Sequence, residues 1–153
     1  MSVGKKPKQL VVDEFIGKVR SAAEFAALRK RLMSESEEER FRFIQEFLAR
    51  EPSTGLSLAN SVLKSHKFIK TILNDGLDKA DVSSVKYWLD LGIQRLGAAR
   101  VIEMLDARLA TDPVSVKRAL YWLARLVPKN NERVVASLRS LIDAVDRIDR
   151  SYH

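Results

Sequence analysis

A short motif of this chain occurs twice. Tyr87-Trp88-Leu89 returns 34 residues later as Tyr121-Trp122-Leu123, and Val101-Ile102-x-x-Leu105 is echoed 33 residues later by Val134-Val135-x-x-Leu138. Self-similarity at such a period marks stacked helical pairs, because one amphipathic pair cannot bury its apolar face without a neighbour of the same kind. Elsewhere apolar residues recur at steps of three and four, and no alternating run bounded by hairpin turns is found. The expected fold is all-α. Its short connections favour antiparallel helix pairs stacked as a short α-solenoid, with an irregular helical bundle as the alternative.

At 153 residues, one domain is the default. Residues 1–8, basic and punctuated by Gly4 and Pro7, are expected to be a disordered tail, and residues 9–153 a single all-helical domain. The chain has no cysteine, which excludes disulfides, thiolate metal sites and thiol nucleophiles and fits a reducing compartment. No run resembles a secretion signal or reaches transmembrane length, so a soluble, cytoplasmic protein is expected. The net charge is +7, and the positive excess lies at the two ends, interrupted by Glu35, Glu37, Glu38 and Glu39. This balance favours contact with nucleic acid, an anionic membrane or an acidic protein partner, and is also common in proteins that bind none of these.

Start and stop signals divide the chain. Residues 9–19 carry Val11, Val12, Phe15, Ile16 and Val19 at helical spacing. Ser21-Ala22-Ala23-Glu24 has the form of a capping box for a helix to about Met33, with Phe25, Leu28 and Leu32 inward. Ser34-x-x-Glu37 and Ser36-x-x-Glu39 announce the next helix, with Phe41, Ile44, Phe47 and Leu48 as its stripe and Pro52 as its stop. Residues 56–63 and 68–73 predict two shorter helices, the second closed by Asn74-Asp75-Gly76 with Gly76 as a left-handed cap. Asp81 or Ser83 caps a helix to Leu96, Gly97 breaks it, and its partner follows to Leu109. Asp112-Pro113 combines an N-cap acid with proline at the first helical position. The helix it starts has the stripe Val116, Ala119, Leu120, Leu123, Leu126 and Val127. The last helix, from about Glu132, has one apolar side and a charged remainder, as a closing helix needs.

On the Tyr-Trp-Leu, turn, Val-Ile/Val-x-x-Leu pattern, residues 82–142 resemble α-helical repeat proteins of the HEAT or armadillo type. The period is shorter than the ~40–47 residues of those units and nearer the ~34 of tetratricopeptide units, whose small-residue signature is missing. The resemblance implies a stack that recognises another macromolecule along one surface.

The helix starting at Pro113 carries the leading functional candidates. Lys117, Arg118, Tyr121, Trp122 and Arg125 lie opposite its apolar stripe. Steps of three and four put Arg118, Trp122 and Arg125 on one ridge and Lys117, Tyr121 and Arg125 on the next. Cations interleaved with rings suit phosphates with stacked bases. The plainer reading packs the rings against the neighbouring pair, with the cations at the rim. Tyr87 and Arg95 occupy the equivalent face one repeat earlier, and Arg100 and Arg133 extend the strip. A protein partner is expected, nucleic acid is the alternative, and no membrane association is expected. Lys5, Lys6 and Lys8 chiefly aid solubility.

Chemistry is poorly provided for. Only His66 and His153 are imidazoles, and neither has a nucleophile and orienting acid in a recognisable pattern. No His joins the Glu35–Glu39 cluster at metal-ligand spacing, and the six glycines form no phosphate loop. No enzymatic activity, cofactor or metal is expected.

Overall fold

The computed structural model describes residues 10–151. The tail expected over 1–8, with Lys5, Lys6 and Lys8, and His153 lie outside the described residues. Among the described residues there are eight α-helices and no strand. The fold is all-α, with helix pairs packed against one another. The chain divides into two compact units between Lys64 and Ser65.

The first unit contains α1 (Ala22–Met33), α2 (Glu37–Arg50) and α3 (Pro52–Val62), preceded by a 3-10 turn at Val12–Glu14. Of the three serine signals, Ser21 and Ser36 cap helices as the sequence predicts, whereas Ser34 ends α1, its Oγ donating to the Arg31 carbonyl at 2.7 Å. Ser21 Oγ accepts from Glu24 N–H at 3.1 Å, while Glu24 Oε1 accepts from Arg20 N–H at 3.2 Å. Ser36 Oγ accepts from Glu39 N–H at 3.2 Å, placing three glutamates in the first turn of α2, where the helix dipole favours them. Leu28, Leu32, Ile44, Phe47, Leu58 and Val62 of these helices are buried. Full burial of such a side chain stabilises by about 1.5–3 kcal/mol. Arg40 donates to the Val62 carbonyl at 2.9 Å, satisfying the C-terminal end of α3.

Three further expectations change here. Within the stretch 9–19, the described residues 10–19 do not form an α-helix. After the 3-10 turn the chain passes through Gly17 at φ +74°, whose N–H donates to Glu51 Oε1, so a tertiary bond replaces the helical one. Pro52 begins α3 as well as ending α2, because proline suits the first helical position and Glu51 alone separates the two helices. The buried stripe of α2 is Phe43, Ile44 and Phe47, with Phe41 and Leu48 only half-buried. Phe43 is drawn in by Phe47, stacked at 5.8 Å, and by Phe15, edge-on at 5.9 Å.

The second unit contains α4 (His66–Lys79), α5 (Val85–Leu96), α6 (Ala98–Arg108), α7 (Pro113–Leu126) and α8 (Glu132–Ser151). α5 packs on α4, α6 and α7, and α8 packs on α6 and α7. Its core holds Ile69, Leu73, Leu89, Val101, Leu105, Val116 and Leu123. Gly97 ends α5 and starts α6 at φ +90°, a conformation that favours glycine. The expected left-handed cap at Gly76 is absent: α4 continues to Lys79, with Gly76 buried inside it. The reason is a neighbour, since a Cβ at Gly76 would collide with the Trp88 indole of α5.

Arg108 ties the ends of three helices together. It pairs with Asp78, donates to the carbonyl and Oδ1 of Asn74 at 3.3 Å each, and reaches Ser115 Oγ at 3.0 Å and Asp112 Oδ2 at 3.4 Å.

Candidate functional site

The candidate face is built on α7. Asp112 Oδ1 accepts from Ser115 N–H at 3.2 Å, fixing the start of the helix with Pro113 at its first position. The Ser115 side-chain hydroxyl, aided less strongly by the Ser115 N–H and the Arg108 charge and opposed by burial, holds the Asp112 carboxyl below its ordinary range. With Val116, Ala119, Leu120 and Leu123 buried, the helix turns Val114, Lys117, Tyr121 and Arg125 to solvent.

The five ridge residues separate into two groups. Lys117 Nζ donates to Asp149 Oδ2 of α8 at 2.7 Å; this bond and the aspartate charge raise its pKa. The half-buried Arg118 donates to the Ala80 carbonyl at 2.7 Å, satisfying the end of α4. Both cations are engaged within the fold. Tyr121, Trp122 and Arg125 instead form a cluster. The two rings meet edge-on with centroids 5.0 Å apart, and the Arg125 guanidinium lies 4.5 Å from the Tyr121 centroid and 5.6 Å from that of Trp122. The Trp122 indole N–H donates to the Val82 carbonyl.

Lys86 extends the cluster to α5. Its Nζ lies 4.8 Å from the Trp122 centroid and 5.0 Å from that of Tyr87. Tyr87 and Tyr121 are 55% and 52% exposed, and Val82 beside them is exposed too. Cations over exposed rings contribute about 0.5–1 kcal/mol each, enough to bias their positions but little more. Among the described residues neither Lys86 nor Arg125 forms an ion pair. Lys86 was not a candidate from the sequence. The repeat offset aligns it with the buried Leu120, so internal symmetry hides it.

The remaining candidates do not join this cluster. Arg95 is half-buried on α5, while Arg100 and Arg133 are exposed in the first turns of α6 and α8. The two tryptophans of the echoed triplets have different neighbours: Trp88 packs on Gly76 of α4, and Trp122 meets Val82 and Lys86.

Elsewhere, His66 is exposed at the first position of α4. A cavity of about 70 Å³ in the first unit is rimmed by Glu35, Glu39 and Glu46, with Arg42 pairing Glu39 at 3.3 Å. Among the described residues no group of three or more His, Cys, Asp or Glu side chains is disposed to hold a metal ion. No helix among them is long and apolar enough to cross a membrane.

Compared with known proteins, the chain matches no family model, no curated protein and no solved structure.

Proposed function

We propose that the protein is a non-enzymatic interaction module that docks a protein partner on the face formed by α5 and α7. The observation that carries this reading is the cluster of exposed Tyr87, Tyr121 and Arg125 around the half-buried Trp122. Tyrosine, tryptophan and arginine are the residue types that dominate binding energy at protein interfaces. The packing of α5 on α7 and of α6 on α8 supports a repeat-like arrangement, in which corresponding helices of successive pairs lie side by side. We place the protein in the cytoplasm, a reading that rests on its cysteine-free sequence.

The test is cross-linking capture from the native cell with wild type, Tyr121→Ala and Arg125→Glu, with helicity checked by circular dichroism. The proposal expects one set of cross-linked proteins to be lost from both variants while helicity is retained. An unchanged set removes this face as the binding site.

A DNA- or RNA-binding role is the second reading, favoured by the net charge of +7 and by the cations beside aromatic rings. Engagement of Lys117 and Arg118 within the fold weighs against it, because a phosphate track needs free cations. Titration of single- and double-stranded oligonucleotides at two salt concentrations decides it. Tight binding that weakens steeply with salt favours this reading, and no binding at low salt removes it.

A further inference from the structure

Resting on the docking face just proposed, we infer that its occupant is an acidic protein segment in which carboxylates flank an apolar anchor. Two kinds of group meet there. Val82, Tyr87 and Tyr121 are exposed and offer apolar contact. Between and beside them Lys86 and Arg125 are held near the rings, with no ion pair to a carboxylate among the described residues.

The acids nearest Lys86 by sequence do not pair with it: Asp90, one turn further along α5, accepts from Gln94 Nε2 at 2.9 Å through Oδ2, and Asp81 lies five positions before it. Asp81 Oδ1 accepts from Ser83 Oγ at 2.8 Å and from Ser84 N–H at 2.9 Å, which commits it to the turn before α5. The face is therefore an apolar surface with two positive charges that form no ion pair among the described residues. An incoming carboxylate meets a cation already restrained by its ring, so less side-chain freedom is lost on binding. An apolar side chain between two such carboxylates covers the exposed tyrosine and valine surface.

Charge number separates this occupant from a polyanion. With two free cations, phosphate binding would show a logarithmic salt slope of only about −1.4 to −1.8, from about −0.7 per neutralised phosphate of a single strand to about −0.9 for a duplex. That is a small electrostatic gain for a ligand that must lay its whole backbone across the face. The acidic segment uses the same two charges and adds apolar burial.

The experiment is fluorescence anisotropy on the full chain with three labelled probes. They are a short peptide of leucine flanked by aspartates, its twin with asparagine for every aspartate, and an oligothymidine. The aspartate peptide is expected to bind at least about tenfold more tightly than its twin. Lys86→Gln and Arg125→Gln should each erase much of that difference, while Lys117→Gln, whose charge is engaged with Asp149, leaves it unchanged. Equal binding of the two peptides, with both lost in Tyr121→Ala, overturns the acidic preference and leaves the docking face standing. Oligothymidine binding more tightly than either peptide through Lys86 and Arg125 overturns the inference in favour of nucleic acid. No binding of any probe by a chain of native helicity overturns it as well, while the cross-linking comparison tests the face itself.

Discussion

Replacing Gly76 with alanine distinguishes a packing role for this residue from a helix-ending one. On an ordinary helix the change stabilises by about 0.8–1.0 kcal/mol, because alanine has less backbone freedom to lose. At this position the new methyl falls inside contact distance of Trp88 Cγ, Cδ1 and Nε1. A fused ring cannot retreat as the end of a flexible chain can, and overpacking of this kind costs about 1–3 kcal/mol. With a cost of about 2 kcal/mol and a gain of about 0.9, the variant should lose about 1 kcal/mol. That corresponds to a Tm lower by about 2–4 °C. In a Trp88→Ala background the obstruction is gone, and Gly76→Ala should stabilise by about 0.8–1.0 kcal/mol. Urea unfolding of the wild type, the two single variants and the double variant then gives a coupling of about 2 kcal/mol. A left-handed cap would make alanine unfavourable in both backgrounds. A coupling near zero, or a wild-type chain stabilised by Gly76→Ala, refutes the packing account.

Other substitutions test the joints and caps. Gly97→Ala places a side chain at φ +90°, ψ 152° with no atom within 4 Å of its Cβ, so backbone strain alone should cost about 1–3 kcal/mol in urea unfolding; a neutral result would contradict it. Arg108→Met removes the links from α6 to Asn74, Asp78, Asp112 and Ser115 and should cost about 1.5–3 kcal/mol, the range for hydrogen bonds to a charged group; chemical denaturation reads this directly. For Asp112 the folded carboxyl is more acidic than the unfolded one, so its contribution is full above about pH 4 and is lost as pH falls through the folded value. Asp112→Asn keeps a capping oxygen but no charge. The variant's deficit at neutral pH should therefore shrink on acidification in thermal melts, and a pH-independent deficit would count against the linkage.

Local signals are legible where a residue acts on its own backbone. Ser21, Ser36, Gly97 and Asp112-Pro113 each satisfy or redirect neighbouring peptide groups, so their meaning lies within a few positions. Sequence misleads where the deciding partner is distant. Asn74-Asp75-Gly76 has the composition of a stop, but the glycine answers to an indole twelve residues later. Gly17 lies in an apolar pattern that suggests helix, while its N–H is taken by Glu51. The candidate ridge is visible as a row of cations and rings. Which cations are already spoken for depends on Ala80 and Asp149, neither of which periodicity can supply. Lys86 escapes for the converse reason: it approaches Trp122 across two helices, 36 positions apart.

The single-residue junctions at Glu51 and Gly97 restrict how this chain can change in length. Each residue added to a helix rotates the next one by about 100°, so one insertion at either joint would swing the following rod's greasy side toward water. The crossing at 127–131 is longer and exposed over most of its length, so it can absorb an extra residue, whereas 80–84 is held by the bonds from Arg118 and Trp122. Tolerance of insertions should therefore be uneven along the chain, with rigid elbows at Glu51 and Gly97 and a forgiving one before the last helix.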